Sequence, residues 1–199
     1  MPRVDYGAGA YLSYLTLEFS MSAHYRWPLI GLHWLTVLVI IAAYVLATLL
    51  EDMALSPLKL QLYAWHKWLG MTVLFLLPLR MLLRVFDPLD QRAELTAWEV
   101  KGSAVVHGLL YLLMIVVPVF GWLHSSAAGF SVVWFGVLPL PDLVGKDKAL
   151  AAVLKELHGG SVNLLLALLL VHAAAALYHH HVRRDGVLAR MLPWIGKKA

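Results

Sequence analysis

The chain of 199 residues contains no cysteine, which excludes disulfides, thiolate-bound zinc and iron–sulfur clusters. Charge is scarce: Asp, Glu, Lys and Arg together make up 14% of the residues, whereas 61% are hydrophobic. Soluble domains carry about a quarter charged residues. With a mean hydropathy of +0.73, the chain falls in the class of integral membrane proteins. A secretory signal is also missing, because residues 1–24 are rich in Tyr, Ser and small residues and lack a basic start followed by an apolar core. The first apolar run is therefore expected to be retained. The formal charge is +4, yet the Lys and Arg flank apolar runs and form no solvated stripe, so no nucleic-acid partner is expected.

What the chain does have is four apolar runs long enough to cross a bilayer, at 29–50, about 65–83, about 105–123 and about 162–178, the last extended at its start by His158. Pro28 stands at a helix start, where a missing N–H costs little, and Pro78 is expected to kink the second run. Small residues such as Gly31, Gly70, Gly121 and Ala173 to Ala176 let helices or a flat ring approach closely. The expected fold is all-α, an integral membrane four-helix bundle over residues 25–199, preceded by an N-terminal extension at 1–24 in which Met21 offers an alternative start.

Orientation follows from the basic residues. Arg3, Arg26, Arg80, Arg84, Arg92, Lys101, Arg183, Arg184, Arg190, Lys197 and Lys198 fall on one side, and Lys59, Lys67, Lys146, Lys148 and Lys155 on the other. The positive-inside rule puts both termini in the cytoplasm. The third connection, about 125–157, is too long and apolar for a simple turn, and Trp134, Phe135, Pro139 and Pro141 point to a segment lying at the outer interface.

Histidines in the apolar runs carry the chemistry. His158 and His172 are 14 positions apart, which on a helix is about 21 Å of rise and about 40° short of whole turns, so both leave one face at opposite depths. His66 matches the depth of His158 on the outer side, and His33 that of His172 on the inner side. Intramembrane ionisable residues are costly, and imidazole is a common axial ligand of heme iron. Two layers of paired histidines therefore read as two stacked hemes, His66 with His158 and His33 with His172. Without cysteine each would be a non-covalent b-type heme. Zinc fits poorly, because neither layer gathers four close donors.

The remaining histidines are rivals or bystanders. His107 lies at the inner depth and is expected to contact a propionate or a quinone; His124 has a weaker claim on the outer site. His24 precedes the first run and is expected in water, while His180 and His181 read as an interfacial cluster. Lys67, Arg80, Arg84 and Arg190 are the cations placed to neutralise propionates, and Arg190 with His107 marks the inner end as a quinone site.

The segments GLHWLTVLVIIAAY, WHKWLGMTVLFLLPLRMLLR, HGLLYLLMIVVPVFGW, WFGVLPLP and LHGGSVNLLLALLLVHAAAALYHHHVRRDGVLARMLP together resemble the bacterial cytochrome b-561 family, including the superoxide oxidases, over about residues 25–194. The resemblance implies two b hemes exchanging electrons with ubiquinone, ligand positions at His33, His66, His158 and His172, and a quinone-contacting histidine at His179. It also implies a multi-pass protein of the bacterial inner membrane. The chain departs from the pattern in its N-terminal extension, in His124 where an apolar residue is expected, and in a second connection without proline-rich character.

The expected activity is superoxide:ubiquinone oxidoreductase, with His179 as proton relay and Lys67 as the outer cation facing the anionic substrate. The alternative is a membrane-anchor cytochrome b subunit passing electrons between quinone and a separate dehydrogenase, hydrogenase or soluble cytochrome.

Overall fold

Each long helix begins where local chemistry supplies a start. Pro28 occupies the first turn of α1 (Trp27–Glu51). Ser56 accepts from the Lys59 N–H ahead of α2 (Pro57–Val85). Thr96 and Glu99 form a reciprocal capping box at α3 (Ala97–Ala128), and Asp147 accepts from Ala149 and Leu150 N–H at α4 (Lys148–Tyr178). α3 ends at Gly129, whose φ of 83° is the left-handed conformation a helix stop commonly requires. The computed structural model describes residues 24–86 and 95–195; the extension at 1–23, the middle of the second connection and residues 196–199 lie outside the described residues.

The helices alternate in direction and pair as two hairpins. α1 packs along α2 and α3 along α4, with α2 against α3 joining the pairs. All four are long and apolar enough to cross a membrane. Most of their large side chains face outward, and the core is a thin seam of clusters such as Val73, Leu77 and Met114, or Leu110, Leu113 and Leu165. A bilayer solvates the rest, since a helix satisfies its own backbone hydrogen bonds in lipid. The chain is a multi-pass membrane protein with an all-α four-helix bundle.

The helices extend beyond the apolar runs, with two consequences for the site. α2 begins at Pro57 and α4 at Lys148, so His66 and His158 lie well inside their helices rather than opening them. The third connection shrinks to residues 129–147, because Ala127 O accepts from Asp147 N and closes α3 directly onto the start of α4. Pro78 sits within α2, which continues past it to Val85.

The shortened connection folds as a small hairpin, β1 (Val133–Trp134) paired antiparallel with β2 (Leu138–Pro139). Its turn uses left-handed backbone at Phe135 and Gly136. Two indoles clasp it to α2: Trp68 donates to Val133 O at 2.6 Å, and Trp134 donates to Trp68 O at 3.2 Å. This is the hairpin end of the bundle.

At the opposite, terminal end the two ends of the described chain meet. Tyr25 N donates to Arg190 O, and the Trp34 indole donates to Met191 O at 2.9 Å. Short 3-10 turns at Leu188–Arg190 and Pro193–Ile195 lie here, and Arg190 is buried.

Candidate functional site

Near the hairpin end, His66 of α2 faces His158 of α4 with ring centres 6.2 Å apart and planes at 87°. The rings are held alike. His66 Nδ1–H donates to Ala43 O of α1 and His158 Nδ1–H to Val117 O of α3, both at 2.9 Å. A ring whose Nδ1 carries the proton keeps its lone pair on Nε2, the form a metal-binding imidazole takes when its other nitrogen is fixed by a carbonyl. Gly121 lies one turn beyond Val117 on the same face, and a Cβ there would stand only 3.1 Å from His158 Cε1.

Towards the terminal end, His33 of α1 faces His172 of α4 with ring centres 6.4 Å apart and planes at 60°. His107 of α3 joins them, its ring centre 5.1 Å from that of His172. Its Nδ1–H donates to Ser103 O at 2.7 Å, one turn back on its own helix. Arg80 Nη2 lies 2.8 Å from His33 Nδ1, and its guanidinium stacks 5.5 Å from the Tyr111 ring.

Distance discriminates among these histidines. Two imidazoles on opposite faces of a heme are separated by two metal–nitrogen bonds of about 2.0 Å and about 1.2 Å from each nitrogen to its ring centre, or roughly 6.4 Å in line. Both α4 pairs have this spacing. The His107–His172 pair is too close for an iron between the rings. Among the described residues no group of three or more His, Cys, Asp or Glu is arranged to hold a bare metal ion; a porphyrin iron asks only two axial ligands of the protein.

One expected rival ligand and two other singled-out residues have partners of their own. His124 Nδ1–H donates to Ala151 O at 2.9 Å, an inter-helix tie across α3 and α4. Lys67, expected as the outer cation facing the anionic substrate, reaches towards the third connection, with Nζ 3.3 Å from Ser125 Oγ and 3.4 Å from Ser131 O. It braces the connection while keeping its charge near the hairpin end. His24, expected in water, is half-buried beside Trp27.

His179 follows α4 at the terminal end, and its Nδ1 meets Asp185 Oδ2 at 2.5 Å. Arg183 Nη1 lies 3.3 Å from Glu99 Oε1 and its Nε 4.0 Å from Asp185 Oδ2, so the group ties α4 to the first turn of α3. Nothing local in the sequence singles out Asp185. Its only signal there is an Asp–Gly pair closing a polar run after three histidines.

Four membrane-crossing helices with cross-helix imidazole pairs define a b-type membrane cytochrome. The sequence profile of the prokaryotic cytochrome b561 family matches residues 24–194, and the chain belongs to that family. It is 31% identical over 169 residues to the probable superoxide oxidase CybB of Yersinia pestis, covering 82% of this chain and 93% of that one. It is 29% identical over 169 residues to cytochrome b561 homolog 1 of Escherichia coli strain K12, covering 82% and 94%. The protein is a heme b electron-transfer protein of the membrane.

Proposed function

We propose that this chain is a di-heme b cytochrome of the bacterial inner membrane that takes electrons from superoxide on the periplasmic side and delivers them to ubiquinone at the cytoplasmic end. The observation that carries it is the pair of imidazole couples on α4, His66–His158 at 6.2 Å and His33–His172 at 6.4 Å. The similarity to a protein named as a probable superoxide oxidase supports the choice of donor. The distribution of Lys and Arg supports cytoplasmic termini.

When bound, a bis-histidine heme passes one electron at a time and offers no open position for oxygen. Two superoxide ions each lose one electron to become dioxygen; one quinone gains those two electrons and two protons to become quinol. His66 and His158 would hold the periplasmic heme through Nε2, with Ala43 O and Val117 O fixing their rings. His33 and His172 would hold the cytoplasmic one. Arg80, whose Nη2 lies 2.8 Å from His33 Nδ1, is the adjoining cation and would be the group to neutralise a heme propionate there. Lys67 supplies positive charge where superoxide approaches. His179, His107 and Arg190 lie towards the cytoplasmic end, where quinone arrives from the bilayer and protons from water.

Stopped-flow mixing of the purified protein with superoxide tests this directly. The heme bands are expected to become reduced within the superoxide lifetime and to reoxidise on adding ubiquinone. Reduction that depends on a co-purifying subunit would instead make the chain an anchor subunit for another redox enzyme.

A further inference from the structure

The backbone after Tyr178 is built to bring a carboxylate back onto an imidazole. His179–Arg183 form one π-helical turn, and Arg184 follows in the left-handed region with φ 55°, its N–H donating to His179 O. A π turn inserts an extra residue into the helix and is found mostly at functional positions. Gly186, with φ 75°, turns the chain again. Asp185 thereby lies over His179, with Oδ2 at Nδ1 and Oδ1 accepting from Val187 N–H at 3.2 Å. The His179 side chain is 14% exposed and that of Asp185 9%.

We propose that Asp185 is a positioning residue for His179: by accepting Nδ1–H it leaves Nε2 as the single nitrogen that meets a quinone carbonyl and gives up the proton quinone reduction consumes. This rests on the assignment of His179 to the quinone site. A ring free to flip presents either nitrogen, and in the neutral form only one of them carries a proton. With Nδ1–H tied to a carboxylate, the imidazolium donates from Nε2 and remains oriented after that proton has left, as the aspartate of a hydrolytic triad orients its histidine.

The protons balance. Quinone takes two electrons through the heme chain, one proton from His179 Nε2 and a second from water at the bundle end. His179 keeps Nδ1–H throughout and regains its Nε2 proton from water. The charged groups facing it are Asp185 and Arg183 beyond α4 and Glu99 from α3. Exposure rises from Asp185 at 9% through Glu99 at 22% to Arg183 at 35%, so the cluster leads from the buried dyad to water.

The test is Asp185→Asn beside His179→Ala and Asp185→Glu, read by heme content and by reoxidation of the reduced protein with a short-chain ubiquinone across about pH 5 to 9. Asparagine keeps an oxygen for Val187 N–H but offers its amide to Nδ1, which favours the opposite tautomer. Asp185→Asn is expected to keep both hemes and reduction by superoxide and to slow reoxidation about tenfold or more at each pH. Asp185→Glu is expected to recover most of the rate. Unchanged reoxidation in Asp185→Asn with slow reoxidation in His179→Ala overturns the role of Asp185 alone. Unchanged reoxidation in both removes His179 from the quinone site and the proposal with it. Loss of heme in Asp185→Asn makes the carboxylate a folding element and also overturns the proposal.

Discussion

Gly121 of α3 and His158 of α4 share one space: a Cβ built on the glycine would stand 3.1 Å from Cε1 and 3.2 Å from Nδ1 of the imidazole. The same imidazole donates to Val117 O, one turn earlier on α3. Any side chain at 121 therefore presses on the ring while that hydrogen bond resists its retreat. Gly121→Ala asks for a shift of a few tenths of an ångström. Gly121→Leu asks for more than a packed seam gives, and overpacking of this kind costs about 1–3 kcal/mol. Pyridine hemochrome analysis is expected to give about two hemes per chain for the unmutated protein and about one for Gly121→Leu, with alanine between them. Two full hemes in the leucine variant would mean that His158 does not need this position to hold iron.

His172 has two imidazole neighbours, and only one is at a separation that accommodates an iron. His33 lies at 6.4 Å and His107 at 5.1 Å between ring centres. Replacing His33 or His172 by alanine is expected to remove one heme per chain, while His107→Ala keeps both and alters the spectrum or potential of the nearer one. Loss of a heme in His107→Ala with retention in His33→Ala would exchange the roles of the two histidines.

The sequence carries the helices and the histidine layers because each rests on a local signal. An apolar run of bilayer length can hardly be anything but a span, and the 14-residue interval between His158 and His172 fixes a common face without any knowledge of neighbours. Contacts between distant segments leave no such trace. His33 and His107 lie at one depth in the sequence, and only the angular placement of α1 and α3 around α4 separates them. Lys67 reads only as an outer cation because nothing local announces that the chain 58 to 64 residues later curls back to meet it. The helices outrun the apolar runs for a related reason: the caps Ser56 and Asp147 lie outside those runs, so hydropathy stops short of them. Asp185 escaped because its meeting with His179 depends on a π turn and a left-handed Arg184, which no periodicity reveals.

Lys67 combines a brace with a charge, and the two roles separate on substitution. Its Nζ lies among Ser125 Oγ, Phe130 O and Ser131 O, with Asp142 hydrogen-bonded to Ser131 nearby. Lys67→Arg keeps the charge, whereas Lys67→Met keeps the apolar stem and removes it. Reduction by superoxide is expected to slow about 2- to 10-fold in Lys67→Met at low ionic strength, with the gap closing as salt screens the field. Lys67→Arg is expected to stay near the unmutated rate. A Lys67→Met protein with an unmutated rate and salt dependence would leave Lys67 as a brace only.

Asp185 makes the terminal end sensitive to acid. Burial pushes its carboxyl up, but the hydrogen bonds from His179 and Val187 N–H and the charges of His179 and Arg183 outweigh this and hold it below its ordinary value of 3.8. A carboxyl depressed on folding contributes stability that is present above the ordinary value and is lost as pH falls through the folded one. Protonation removes the charge that Asp185 offers to His179 and Arg183, so the segment that turns back after α4 loosens first. Amide hydrogen exchange read by mass spectrometry is expected to show segment 179–192 protected above pH 3.8, with the protection falling on further acidification while the middle of α4 keeps its own. In Asp185→Asn the segment is expected to exchange faster at neutral pH and to show a much smaller acid step. If the unmutated segment keeps its full protection after the carboxyl has taken its proton, the hydrogen bonds of the turn hold it and the ion pair does not.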